Sequence, residues 1–107
     1  MKIFIDDKGI EGVEYSVDQN NKRIDILAID KENIPVVIEL KVSKGYEKVV
    51  GQCQYYKNRI REKLTADKVR VIIIAREITN VLRVAVSDLD NFDLFEYQLN
   101  IKLNKVK

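Results

Sequence analysis

Histidine and tryptophan are absent from the 107 residues, and cysteine, proline and methionine occur once each. The missing histidine excludes Ser-His and Cys-His nucleophile pairs, imidazole-ligated zinc and ordinary imidazole acid–base catalysis. A single cysteine excludes an intramolecular disulfide and any thiolate-cluster metal site. Four glycines and one proline leave no collagen-like, mucin-like or linker-like stretch. No apolar run approaches the roughly 20 residues of a membrane-spanning helix, and no signal-peptide pattern opens the chain. A cytoplasmic protein without membrane contact is therefore expected. For catalysis there remain carboxylates, lysine and a hard cation.

What is present is a globular composition, 46% hydrophobic and 34% charged. The length is that of one domain, expected over residues 1–107, with room to bury roughly 65% of its extended surface. Charge is distributed unevenly. Residues 1–40 carry 5 Lys/Arg against 9 Asp/Glu (net −4), and residues 41–63 carry 7 against 2 (net +5). Carboxylates beside a basic segment suit a site that holds a cation next to a polyanion. A solvated, charge-rich surface is the plainer reading of the same pattern.

Periodicity gives the order β-β-β-β-α-β-α-β, an α/β fold with helices packed on a mixed sheet. Lys2 to Ile5 and Val13 to Val17 read as short strands, separated by the turn Asp6 to Gly9. Asp18 to Asn21 is a second polar turn. Ile24 to Ile29 alternates, with Asp25 and Leu27 on one face and Ile24, Ile26 and Ala28 on the other. Pro35 opens a strand running to Lys41, as proline is tolerated at a strand's first residue. Val49, Cys53, Tyr56, Ile60 and Leu64 form the apolar stripe of a helix over residues 46–64. Val69 to Ala75 is a buried strand. A helix over residues 78–89 with Thr79 as N-cap, then one or two strands over residues 92–103, complete the chain.

Three charged residues interrupt these apolar strands. Asp25 stands inside Ile24–Leu27, and Glu39 and Lys41 stand inside Val36–Lys41. Side chains alternate along a strand, so Glu39 and Lys41 share a face, and an antiparallel hairpin brings Asp25 to the same face. Two carboxylates and the Leu40 carbonyl are hard oxygen donors of the kind Mg²⁺ or Mn²⁺ takes. Lys41 can orient or deprotonate an attacking water, or steady charge on a phosphate. Such a set suffices for phosphodiester hydrolysis. The competing structural reading is a cross-strand Asp25–Lys41 ion pair with Glu39 exposed.

On the following helix Lys48, Gln52, Tyr55 and Arg59 fall at i, i+4, i+7 and i+11, a polar stripe that can bring Gln52 near the carboxylates and cations to phosphates. Together with Lys44, the residues Lys48, Tyr55 and Arg59 are the candidate nucleic-acid contacts. Gly51 is read as permitting close approach of helix to sheet. Tyr56 and Cys53 are read as core.

The runs Arg23–Leu27 and Val37–Lys41, with Gly51, Gln52 and Tyr56, resemble the PD-(D/E)XK, or restriction-endonuclease-like, nuclease superfamily. In particular they resemble the C-terminal nuclease domain of NucS/EndoMS-type endonucleases, and Leu94 to Leu99 is similar to the end of that domain. The resemblance implies a mixed central β-sheet flanked by helices and a metal-dependent DNA endonuclease. It places Mg²⁺ or Mn²⁺ on Asp25 and Glu39, gives Lys41 a catalytic role and puts Gln52 at the same site. DNA is the implied partner, with a separate DNA-binding subunit in place of the family's partner domain. A homodimer is expected through residues 92–103, because Phe92, Leu94, Phe95, Tyr97 and Leu99 exceed what one sheet edge comfortably leaves exposed. The family's N-terminal helix is expected to be missing or shortened. Two other readings of the fold stay open: a nucleic-acid-binding or assembly module without turnover, and a Holliday-junction-resolvase-like protein.

Overall fold

The computed structural model describes residues 1–18 and 22–107. In chain order its elements are β1 (Lys2–Ile3), β2 (Val13–Ser16), β3 (Arg23–Ile29), β4 (Pro35–Gly45), α1 (Lys48–Lys63), β5 (Arg70–Ile78), α2 (Asn80–Ala85) and β6 (Phe92–Glu96). This is the expected order. Of the turn expected at residues 18–21, all but Asp18 lies outside the described residues.

One mixed sheet runs β1-β3-β4-β5-β6, with β2 also paired to β3. The pairs β1–β3, β2–β3 and β3–β4 are antiparallel, while β4, β5 and β6 are parallel. The β3–β4 loop is held by Asp30, whose carboxylate accepts the N–H groups of Glu32 and Ile34, both at 2.9 Å, and the Arg70 guanidinium at 3.0 Å. The Ile34 bond foremost holds the Asp30 carboxyl below its usual range.

Both helices pack on one face. Leu27, Val37 and Ile73 of the sheet join Val49, Cys53, Tyr56 and Ile60 of α1 and Leu82 of α2 in the main core. The opposite cluster, Ala28, Val36 and Ile72 with Ile38 and Ile74, contains no helical residue. The apolar stripe of α1 thus does what its spacing requires. Gly51 does not: it is exposed, and a Cβ built there meets nothing within 4 Å, so the helix approaches the sheet without its help.

Three elements differ from expectation. Alternation in β3 slips at Asp25, because Ile24 and Leu27, three apart, both reach the main core. Glu14, between the β2 partners of Ile24 and Ile26, sits in left-handed backbone at φ 47. Helix α2 is shorter than residues 78–89. Ile78 belongs to β5, and after Ala85 the bonds Ser87 N–H to Val84 and Leu89 N–H to Val86 tighten the chain into turns. Thr79 caps α2 as expected, its Oγ1 accepting the Leu82 N–H at 3.2 Å. The C-terminal segment forms one strand only. β6 occupies the free edge of β5, and the alternating Leu99, Ile101 and Leu103 find no neighbour to pair with among the described residues.

Candidate functional site

The β3–β4 ladder runs from Ile29↔Pro35 to Ile26↔Ile38 and stops. One step on, Asp25 faces Glu39, and carboxylates replace the backbone rungs. The Asp25 N–H donates to Glu39 Oε1 at 3.2 Å, and the Leu40 N–H donates to Asp25 Oδ2 at 2.8 Å. Separating strands would leave those N–H groups without partners, and an anionic acceptor satisfies them with charge-assisted bonds. β4 stays in the sheet here because its pairing with β5 continues to Gly45. The fork therefore opens on one side of β4 and sets two carboxyls face to face.

Glu39 is only 2% exposed. Burial pushes its carboxyl up to about 7; the Asp25 N–H opposes this, the Asp25 charge adds to it, and Lys41 draws it back. The two carboxyls lie close enough to share a hydrogen bond. Lys41 Nζ stands 3.9 Å from Glu39 Oε2. That contact, and not an Asp25–Lys41 pair, is the ion pair the fold forms, and Glu39 is buried where the structural reading had it exposed.

Helix α1 covers the site from the core side. Gln52 Nε2 donates to the Tyr56 hydroxyl at 3.0 Å, and Tyr56 is buried. Burial foremost raises the Tyr56 hydroxyl, and the charges of Glu39 and Asp25 add to it. Gln52 is thus tied to Tyr56, and through it to the field of the carboxylates. Burial, with the Glu39 charge, pushes the neighbouring Cys53 thiol up to about 12, as suits a core residue.

The candidate nucleic-acid contacts are not gathered together. Lys44 pairs with Glu77 at 3.8 Å on the far end of β4. Lys48 is exposed at the start of α1. The Tyr55 hydroxyl donates to the Asp18 carboxylate, and Arg59 bonds Glu62 at 3.3 Å, so both are engaged within the chain. Of the residues expected at a dimer surface, Phe92 and Leu94 pack onto the main core, whereas Phe95 and Leu99 are exposed.

Two features went unread in the sequence. Beyond the fork β4 takes an extra residue, pairing Lys41 with Ala75 but Lys44 with Glu77. The Tyr97 hydroxyl reaches across the sheet to the Val42 carbonyl at 3.2 Å within that irregular stretch. Neither leaves a compositional mark, since no glycine stands at the bulge.

Among the described residues no group of three or more Asp, Glu, Cys or His is placed to hold a metal ion, so the protein's acidic donors at the fork are two. No described helix is long and apolar enough to cross a membrane.

The family profile of the endonuclease NucS C-terminal domain matches residues 3–98. The fold superposes on a repair endonuclease from Pyrococcus abyssi with TM-score 0.69, at 22% identity over 80% of this chain and 36% of that one. It superposes on EndoMS in the dsDNA2 complex with TM-score 0.70, at 22% identity over 92% of this chain and 38% of that one. Apo EndoMS gives TM-score 0.60 and 26% identity over 69% and 34%. The chain spans little more than a third of the length of these proteins, and no curated protein matches it. With the profile covering nearly all of it and the fold agreeing, this chain belongs to the family of NucS endonuclease C-terminal domains.

Proposed function

We propose that this chain is the catalytic part of a DNA endonuclease that hydrolyses phosphodiester bonds at the β3–β4 fork, using Mg²⁺ or Mn²⁺. The carrying observation is the facing pair of Asp25 and Glu39, with Glu39 nearly fully buried. Two carboxyls so placed repel unless a proton or a cation lies between them. The donors are all hard oxygen, which fits Mg²⁺ or Mn²⁺, and Mg²⁺ keeps several waters, so two carboxylates and the Leu40 carbonyl suffice. When bound, the ion supplies a Lewis acid to the phosphoryl group and activates water for attack.

The chain's own residues do the rest. Asp25 and Glu39 are fixed by the backbone bonds across the fork. Lys41, on the face of Glu39, places an ammonium where charge builds on the phosphate and can orient the attacking water. Gln52, held by Tyr56, closes the site from the side of α1.

DNA is the proposed substrate because the dsDNA2 complex of EndoMS shares this fold. Further DNA contacts are proposed to come from outside this domain, a second copy or a separate DNA-binding subunit among the sources, and cutting both strands needs two such sites. The test is incubation with single-stranded, flapped, mismatched and four-way DNAs in Mg²⁺, Mn²⁺ or EDTA. Cleavage with either ion and none in EDTA is expected. Cleavage in EDTA overturns the mechanism, binding without cleavage under every condition makes the chain a non-catalytic module, and cutting confined to four-way DNA makes it resolvase-like.

A further inference from the structure

Past Lys41, β4 spends three residues where β5 spends two: Lys41 is level with Ala75 and Lys44 with Glu77. Beyond the extra residue the position turned to the core beside Ala75 and Leu82 is Gly45, so its neighbour Lys44 points away from the side of Glu39 and Lys41, and Arg76, next to Ala75, alternates to that outer side as well. The bulge leaves Val42 87% exposed, and the Tyr97 hydroxyl holds its carbonyl. Beside it lies a hollow of about 510 Å³ lined by Ser43, Lys44, Arg76 and Glu77.

The charges in this hollow are available. Arg76 is exposed and makes no ion pair or side-chain hydrogen bond among the described residues. Arg59, Arg70 and Arg83 are engaged by acceptors, whereas Arg23 and Arg61, like Arg76, have none among the described residues, and of these three only Arg76 lines this hollow. Lys44 meets Glu77 only at 3.8 Å, with both side chains more than half exposed, a pair that phosphate can displace. The hollow sits at the carboxyl ends of the parallel strands β4 and β5, where open α/β sheets take their ligands. Lys44 is level with Glu77, two β5 residues beyond the partner of Lys41, about 7 Å further along the sheet.

We propose that Ser43, Lys44 and Arg76 form a second phosphate subsite, which takes a backbone phosphodiester of the nucleic acid a few nucleotides from the bond at the carboxylates. Arg76 supplies a planar fork of donors, Ser43 a hydroxyl and Lys44 a point charge. Glu77 competes with the phosphate for Lys44. This subsite rests on the nuclease reading for its ligand, but it is tested by binding alone.

The experiment measures affinity for a fluorescent DNA duplex and its single strand across a salt series, with Ca²⁺ replacing Mg²⁺. Arg76→Gln should weaken binding several-fold and lower the slope of log affinity against log salt by roughly 1. Glu77→Gln should tighten binding. Lys68→Gln, an equal loss of charge before β5 at the opposite end of the sheet, should change neither. An unchanged slope in Arg76→Gln, or an equal fall in Lys68→Gln, overturns the subsite. The same duplex is then given Mn²⁺. A parent chain that binds it with the predicted pattern and never cuts it counts against the nuclease reading and supports the subsite. A parent that binds neither DNA overturns both.

Discussion

Replacing Glu39 by Gln should make the metal-free protein more stable at alkaline pH, even though it removes a residue placed at the centre of the site. Glu39 is 2% exposed and its carboxyl is pushed up to about 7, chiefly by burial, from 4.5 in the open chain. A raised carboxyl pKa means that the folded state holds its proton longer than the unfolded state does. Folding is therefore favoured below pH 4.5, and stability falls as pH rises through the interval to about 7. At about 1.4 kcal/mol per pH unit the interval corresponds to about 3 kcal/mol, and relaxation and water entry reduce this to about 1–3 kcal/mol. Gln keeps an oxygen to accept the Asp25 N–H and adds a donor toward the Asp25 carboxyl, without a buried charge. Urea unfolding in EDTA at pH 5 and pH 8.5 should show parent and variant nearly equal at pH 5. At pH 8.5 the variant should be more stable by about 1–3 kcal/mol, or several degrees in Tm for a domain of this size. Equal stability at pH 8.5, or a parent whose stability does not change between pH 5 and 8.5, would refute the assignment of a destabilising buried charge.

Other consequences follow from single residues. Lys41→Ala should lower the cleavage rate by more than tenfold while leaving Mn²⁺ affinity within a few-fold, as measured by single-turnover kinetics and calorimetry. Cys53, fully buried with its thiol pushed up to about 12, should not react with a thiol reagent in the native protein at pH 8 and should react on unfolding. Thr79→Ala removes the cap of α2 and the bond from Oγ1 to the Gly45 carbonyl, and should cost about 1 kcal/mol in urea unfolding. Gly12→Ala should cost more, because a Cβ there would lie 2.2 Å from the Leu27 carbonyl oxygen and force β2 away from β3.

Much of this structure was legible in residue order. The eight elements come in the expected sequence because the main ones carry their own period: alternation along β4 through Val37, Glu39 and Lys41, and a stripe at Val49, Cys53, Tyr56 and Ile60. The charged interruptions at Asp25, Glu39 and Lys41 marked the fork, since apolar strands seldom carry carboxylates without partners. Alternation, however, assumes a regular ladder. It failed at Asp25, where β3 parts from β4, and again between Lys41 and Lys44, where β4 takes an extra residue. Both are properties of a pair of strands, invisible in either alone. The same limit explains the tail. Leu99, Ile101 and Leu103 alternate as a strand would, but a strand also needs a partner, and the tail does not turn back to pair with the open edge of β6. Helix faces are a third case: Tyr55 and Arg59 share a stripe with Gln52, yet Asp18 and Glu62 engage them.

The central claim is that Asp25 and Glu39 hold one divalent cation. Calorimetric titration with Mn²⁺, repeated at pH 6 and pH 8 in buffers of different ionisation enthalpy, tests it most directly, because metal binding must displace any proton the carboxyls share. The parent should bind one ion, releasing close to one proton at pH 6 and far less at pH 8, and Asp25→Asn and Glu39→Gln should each abolish binding with the fold intact. A parent that binds no Mn²⁺ at either pH, or variants that bind as the parent does, would contradict it.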